Sequence, residues 1–334
     1  MRGQLHFRRP PLGALQNLYS PGIAEIQTIP AYVPLGHKWI AVRQRFEQFH
    51  RNLSLTLAQY ADGTTKREGV IRCLNQRYYG QSSGDEHSLL IGSWGKGTAT
   101  RPPRDVDVYF VLPYEVYCRY EERTGNRQTA LLQEIKNVLS VPYPSTEMRG
   151  DRHVVMVGFG SYSVEVVPAI LLTDGRYWIC DTANQGNYKL ADPNAESKYI
   201  EQVDAANSRN LRPLIRMLKS WQVYCSVPIK SFQLELVAAE FLAQSPWSQY
   251  DFFWFDWMVR DFFLYLHGKA NCWLSIPGIS EMSSLGNEWQ SRTATAWARA
   301  VKACENEQSN FVEAAGEEWQ KIFGQDIPQR PSWN

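Results

Sequence analysis

Asp105 and Asp107 sit inside an otherwise apolar run, Asp105-Val-Asp107-Val-Tyr-Phe-Val-Leu112, and no other segment constrains the fold as tightly. Its β-branched and aromatic residues predict a strand over 105–112. Residues two apart on a strand project to one face, so Asp105 and Asp107 aim together while Val106 and Val108 enter a core. Adjacent carboxylates repel, which a divalent cation neutralises. A D-x-D pair alone is common, and a solvated strand is its plain reading. Here, however, a second apolar strand signal, His87–Ile91, leads into Gly92-Ser93, and a Gly/Thr/Pro-rich connection then leads to Asp105. Gly92 permits close backbone approach and Ser93 adds a hydroxyl, a pair suited to cradling a triphosphate. Hard oxygen ligands beside it suit Mg²⁺ or Mn²⁺ bound together with substrate phosphates.

The flanking sequence supplies the rest of a layered fold. Apolar residues from His37 to Ala61 (Trp39, Val42, Phe46, Phe49, Leu53, Leu57, Tyr60) recur at three- and four-residue steps and predict one long amphipathic helix. A second helix fits Lys66 to Tyr79, and a third Leu131 to Leu139. Val154–Phe159 and Tyr162–Leu172 read as an antiparallel pair around Gly160-Ser161. Residues 1–36, punctuated by Pro and Gly, read as an irregular arm. Beyond Asp174 the character changes. Ten of the twelve tryptophans lie from Trp178 onward, on helical patterns such as Leu211/Ile215/Leu218, Leu234/Val237/Phe241 and Phe311/Ala315/Trp319/Phe323, the last stopping at Gly324. A mixed α/β lobe is therefore expected to give way to a helical one near residue 174.

Composition removes several alternatives. Thirty-five basic residues against 34 acidic ones give a net charge of +1, without the basic excess that gripping duplex nucleic acid needs. Phe252 to Leu266, the most aromatic stretch, is interrupted by Asp256, Arg260 and Asp261, and no apolar run reaches the roughly 18 residues of a membrane span. The first residues lack an apolar signal core. The six cysteines are scattered singly, without CxxC or Cys/His ligand spacing, and read as reduced thiols of a cytoplasmic protein.

The segment GSWGKGTATRP…DVDVYFVL resembles the nucleotidyltransferase superfamily signature, and in detail the bacterial cGAS/DncV-like nucleotidyltransferases, or CD-NTases. The resemblance implies an α+β protein. A polymerase-β-like nucleotidyltransferase lobe (1–174), with a mixed or antiparallel sheet, flanking helices and the long N-terminal helix, precedes a helical C-terminal lobe of oligoadenylate-synthase type (175–334) that completes the nucleotide cleft. The family places a third carboxylate on a later strand, and Ser163-Val-Glu165-Val-Val-Pro168 offers Glu165, a mild departure from the commoner Asp. Read without the resemblance, Glu165 is a salt-bridged or exposed strand residue. Leu211-Arg-Pro-Leu-Ile-Arg-Met-Leu-Lys219-Ser-Trp221 resembles the family's helix whose Lys holds the donor triphosphate. Arg209, Arg212, Arg216 and Lys219 then form one basic stripe, either a solvated face or the wall opposite the carboxylates. Lys230-Ser231-Phe232-Gln-Leu-Glu235 resembles a segment whose Ser contacts phosphates and whose aromatic stacks on the donor base. Ser231 is equally a helix N-cap, and Phe232 equally a core aromatic. Tyr177-Trp178 and Tyr188 to Pro193 fall loosely where relatives place lid and base-contacting segments.

What the resemblance implies is synthesis of a cyclic di- or trinucleotide second messenger in bacterial antiphage signalling of the CBASS type. Two Mg²⁺ ions (or Mn²⁺) would be held by Asp105, Asp107 and Glu165, and NTPs would be bound by Gly92, Ser93, Lys219, Ser231 and Phe232. The alternative is a template-independent enzyme that makes linear chains or adds nucleotides to an RNA, DNA or protein hydroxyl. The implied partners are NTP substrates, an effector answering to the product, and a regulatory protein; neither a membrane nor stably bound duplex DNA is expected.

Overall fold

A computed structural model describes residues 38–332; the expected arm over 1–36 lies outside the described residues. Two helices, α1 (Val42–Leu53) and α2 (Leu57–Tyr79), lead into β1 (Ser88–Leu90), the single turn α3 (Gly92–Gly95) and β2 (Asp105–Val111). Next come α4 (Tyr114–Glu121), α5 (Arg127–Ser140), β3 (Glu147–Asp151), β4 (Val154–Gly158), β5 (Ser163–Leu171), β6 (Tyr177–Asp181) and β7 (Asn187–Ala191). The remainder is mostly helical: α6 (Pro193–Ala206), α7 (Leu211–Tyr224), α8 (Ser231–Gln244) and α9 (Phe255–His267), the short hairpin β8 (Trp273–Ser275) and β9 (Met282–Ser284), then α10 (Gln290–Gln308) and α11 (Val312–Phe323). Among the described residues no helix is long and apolar enough to cross a membrane.

Strands β1 to β7 form one mixed sheet in the order β1-β2-β5-β4-β3, with β6 joined to β5 and β7 to β6. The β2–β5 ladder is parallel and the other ladders are antiparallel. Strand alternation divides the two faces as expected. Val106, Val108 and Phe110 of β2, with Val164 and Val166 of β5, are buried against Val70, Ile71 and Leu74 of α2 and Leu131, Ile135 and Leu139 of α5. The other face carries Asp105, Asp107 and Glu165, followed by a small apolar floor of Tyr109, Val167, Ala169 and Tyr177.

The second lobe has its own core. Trp221 of α7, Phe255, Phe262 and Phe263 of α9, and Trp319 and Phe323 of α11 are all buried in it. The interrupted aromatic run 252–266 thus lies at the centre of this lobe, with Arg260 buried and ion-paired to Asp261.

Two expectations change. The predicted single helix over 37–61 is two helices, broken at 54–56. Ser54 is extended, and Thr56 opens α2 with a reciprocal cap: Gln59 N–H donates to Thr56 Oγ1 (3.2 Å), and Thr56 N–H donates to Gln59 Oε1 (3.0 Å). The apolar positions on either side serve different neighbours. Val42, Phe46, Phe49 and Leu53 enter the helical core, whereas Leu57 is 91% exposed and Tyr60 stacks on Trp94 of the first lobe at 5.3 Å. The sheet also continues past the expected change of character near 174. β6 and β7 extend it to Ala191, with Tyr177 against Tyr109 (5.4 Å) and Trp178 stacked on Tyr188 (5.9 Å). The loosely matched lid segments are therefore sheet, and Asp192 accepts from Ala195 N–H as the N-cap of α6.

Candidate active site

The parallel register of β2 and β5 sets Asp107 directly beside Glu165 and Asp105 beside Ser163. Asp105, Asp107 and Glu165 each offer a carboxylate oxygen, and these oxygens all lie within 4.8 Å of one another, a group that could hold a metal ion. The Gly-Ser turn presses on this cluster. Ile91 N–H donates to the Asp107 carbonyl (3.0 Å), and Gly92 has φ +59°. A Cβ at Gly92 would lie 2.0 Å from Asp107 Oδ2, so both the backbone conformation and the contact demand glycine. Ser93 lies beside it in the same turn, and its carbonyl accepts from Thr98 N–H (2.8 Å).

Burial and then the like charges of Asp105 and Glu165 push the Asp107 carboxyl up to about 7, while Lys96 and Lys219 pull the other way. All the donors are hard carboxylate oxygens, and their mutual repulsion is what a bound Mg²⁺ or Mn²⁺ relieves, so the residues fit such ions.

Lys219, on α7, is almost wholly buried. Its Nζ donates to Thr98 Oγ1 (2.9 Å) and pairs with Glu235 Oε1 of α8 (2.5 Å). Burial lowers its pKa, with Glu235 opposing. Glu235 also accepts from Thr98 Oγ1 (2.8 Å) and pairs with Lys96 through Oε2 (2.5 Å). Burial alone would raise the Glu235 pKa; the two ammonium groups outweigh it and hold the carboxyl down to about 2.

The expected basic stripe takes a different form. Arg209 precedes α7, with φ +61°, and pairs with Glu201 (2.5 Å). Arg212 binds Asp204 (2.6 Å), Glu201 (2.7 Å) and the Lys96 carbonyl (2.8 Å); Arg216 binds the carbonyls of Gly97 (2.7 Å) and Ala99 (3.1 Å). Arg209 stays on the solvated surface, whereas Arg212 and Arg216 clamp the connection between the Gly-Ser turn and β2 onto the second lobe through the carbonyls of residues 96, 97 and 99.

Ser231 is not the N-cap of α8. Lys230 holds that position, its N–H donating to Gln233 Oε1 (3.1 Å), while the exposed Ser231 hydroxyl donates to Gln222 Oε1 (2.7 Å). Phe232 is half-buried against the helical core, and the Lys96 ammonium lies over its ring, 5.3 Å from the centroid. The Lys96 charge also acts on Asp107, whereas Ser231 is tied to α7. Sequence reasoning assigned no role to Lys96, Thr98 or Glu235. Glu235 carried a signal nonetheless, a lone charge among Leu234, Leu236 and Val237, which marks a buried ion pair.

Known proteins share this fold and part of this sequence. Residues 40–204 match the family described as the Second Messenger Oligonucleotide or Dinucleotide Synthetase domain. A probable cyclic nucleotide synthase of Bacillus cereus (strain VD146) is 22% identical over 276 residues, 71% of this chain and 81% of its own. Escherichia coli MS115-1 CdnC, solved with ATP, superposes with a TM-score of 0.62 and 18% identity over 87% of this chain and 99% of its own. The same protein has also been solved in a CdnC:HORMA-deltaN complex. CdnG of Bradyrhizobium diazoefficiens, a CD-NTase in complex with GTP, gives 0.62 and 11% over 85% and 94%. Residues 40–204 thus carry the match to the family of second messenger oligonucleotide or dinucleotide synthetases, and the chain is a nucleotidyltransferase with the fold of the CD-NTases it superposes on.

Proposed function

We propose that the protein joins nucleoside triphosphates into a cyclic di- or trinucleotide. The observation that carries this reading is the convergence of Asp105, Asp107 and Glu165 within 4.8 Å of one another beneath a turn that only Gly92 can form. In each step a ribose hydroxyl of one nucleotide attacks the α-phosphate of another and pyrophosphate leaves. Divalent cations held by the three carboxylates supply Lewis-acid activation and charge neutralisation. Glu165 accepts the proton of the attacking hydroxyl. Ser93 and Lys219 orient the β- and γ-phosphates, Ser231 adds a hydroxyl donor at the start of α8, and Phe232 stacks on the donor base. The structures of CdnC with ATP and of CdnG in complex with GTP support NTPs as substrates here. The HORMA complex of CdnC supports a regulatory protein partner. A cytoplasmic location and an antiphage role, with the product opening a downstream effector, complete the reading.

The test is incubation with labelled NTPs and Mg²⁺ or Mn²⁺, followed by phosphatase. Phosphatase-resistant product is the expected result. A phosphatase-sensitive ladder would instead identify a linear polymerase, and no product with either metal would refute nucleotidyl transfer.

A further inference from the structure

We propose that Lys96 is a positioning residue for the donor nucleotide and acts through Phe232; this rests on the reading of the cleft as a nucleotide site. Its backbone is fixed at both ends. The Lys96 N–H donates to the Gly92 carbonyl (3.1 Å), and its own carbonyl accepts from Arg212 Nε of α7 (2.8 Å). The residue therefore moves with the glycine that presses on Asp107. Its side chain, only 7% exposed, crosses to the other lobe, pairing with Glu235 Oε2 (2.5 Å) and lying 3.7 Å from Glu196 Oε2 of α6. There the ammonium stands over the Phe232 ring.

A cation over an aromatic face attracts the ring and restricts its orientation. Phe232 occupies the second position of α8 and is only partly buried against the helical core, so the Lys96 ammonium over its ring helps to fix its setting. Lys219 is also tied to Glu235, but its remaining contacts are with Thr98. Lys96 thus ties the Gly92 turn of the first lobe to the stacking residue of the second. It sets where a base stacked on Phe232 lies relative to a phosphate held at Gly92 and Ser93.

A double-mutant cycle on nucleotide binding tests this. The dissociation constant of a fluorescent ATP analogue is measured, with Ca²⁺ in place of Mg²⁺, for the wild-type protein, Lys96→Met, Phe232→Ala and the double variant. Each single change is expected to weaken binding about tenfold, and the double variant is expected to be no more than about threefold weaker than either single. Mn²⁺ binding to the carboxylates, read by electron paramagnetic resonance, is expected to be unchanged by Phe232→Ala whether or not Lys96 is present. Lys96→Arg, which keeps the cation, retains affinity within about threefold, and Lys96→Gln replaces Lys96→Met in the cycle should the latter not fold. Effects that multiply to about a hundredfold in the double variant, or wild-type affinity in Lys96→Met, overturn the proposal while leaving the nucleotide site intact. Wild-type protein that does not bind the analogue overturns the functional reading, and this inference with it.

Discussion

Asp107 of β2 and Glu165 of β5 are direct neighbours across a parallel ladder, so their carboxylates project from the same sheet face without any loop to place them. The ladder continues on both sides of the pair, from Asp105 opposite Ser163 to Val111 opposite Ala169. The placement of the two carboxylates is therefore set by backbone hydrogen bonds and by the buried valines between them.

Replacing Asp105 and Asp107 together by Asn is expected to reduce turnover by about a thousandfold or more, because the cation ligands are lost. The melting temperature of the metal-free protein should stay level or rise, since the substitution removes like charges crowded against Glu165. Product formation and a thermal melt on the same preparation check this, and retained turnover would remove the metal assignment.

The metal-free protein should lose stability as pH rises. Asp107 titrates at about 7 in the fold against an ordinary 3.8. Between these values the native state keeps a proton that the unfolded chain has released, so stability falls across pH 4 to 7, by up to ~4 kcal/mol. Saturating Mg²⁺ should flatten the dependence, and Mg²⁺ affinity should weaken below neutrality as protons compete for the site. Melting temperatures across this range, with Mg²⁺ and with a chelator, provide the measurement.

Gly92→Ala introduces a Cβ 2.0 Å from Asp107 Oδ2 at a φ of +59°. The strain should cost ~1–3 kcal/mol of stability. Displacement of Asp107 should cost about a hundredfold in turnover. Urea unfolding and initial rates separate the two effects.

Glu235→Gln leaves Lys96 and Lys219 buried without their shared counter-charge, a loss of ~3–5 kcal/mol. Thr98→Val removes only a neutral hydroxyl from the same hub and should cost ~1–3 kcal/mol. Equal midpoints for both variants in urea would show that the ion pairs contribute little.

How much of this was legible in the sequence depended on the range of the interaction. Asp105 and Asp107 were readable because strand alternation is local, whereas Glu165 lies far along the chain and only the family resemblance singled it out. The break between α1 and α2 was legible too, in Thr56 and Gln59 at capping-box spacing, but the unbroken hydrophobic periodicity concealed it. The arginines of α7 were misread because their partners are the carbonyls of residues 96, 97 and 99, and backbone acceptors leave no mark in a sequence. Lys96 was passed over for a different reason: its side-chain partners, Glu235 and Phe232, lie on an element far along the chain.

The crossing at residues 54–56 has a consequence for how such a chain can be taken apart. Because α1 lies in the core of the second lobe and α2 in that of the first, the two lobes are stitched together, not strung in series. A cut near residue 174 would strand Val42, Phe46, Phe49 and Leu53 on the wrong fragment and open a hole in the other. Any graft of the helical lobe between relatives must therefore carry residues 42–53 with it, and insertions or deletions that tune the two lobes independently are confined to the loops that do not join them.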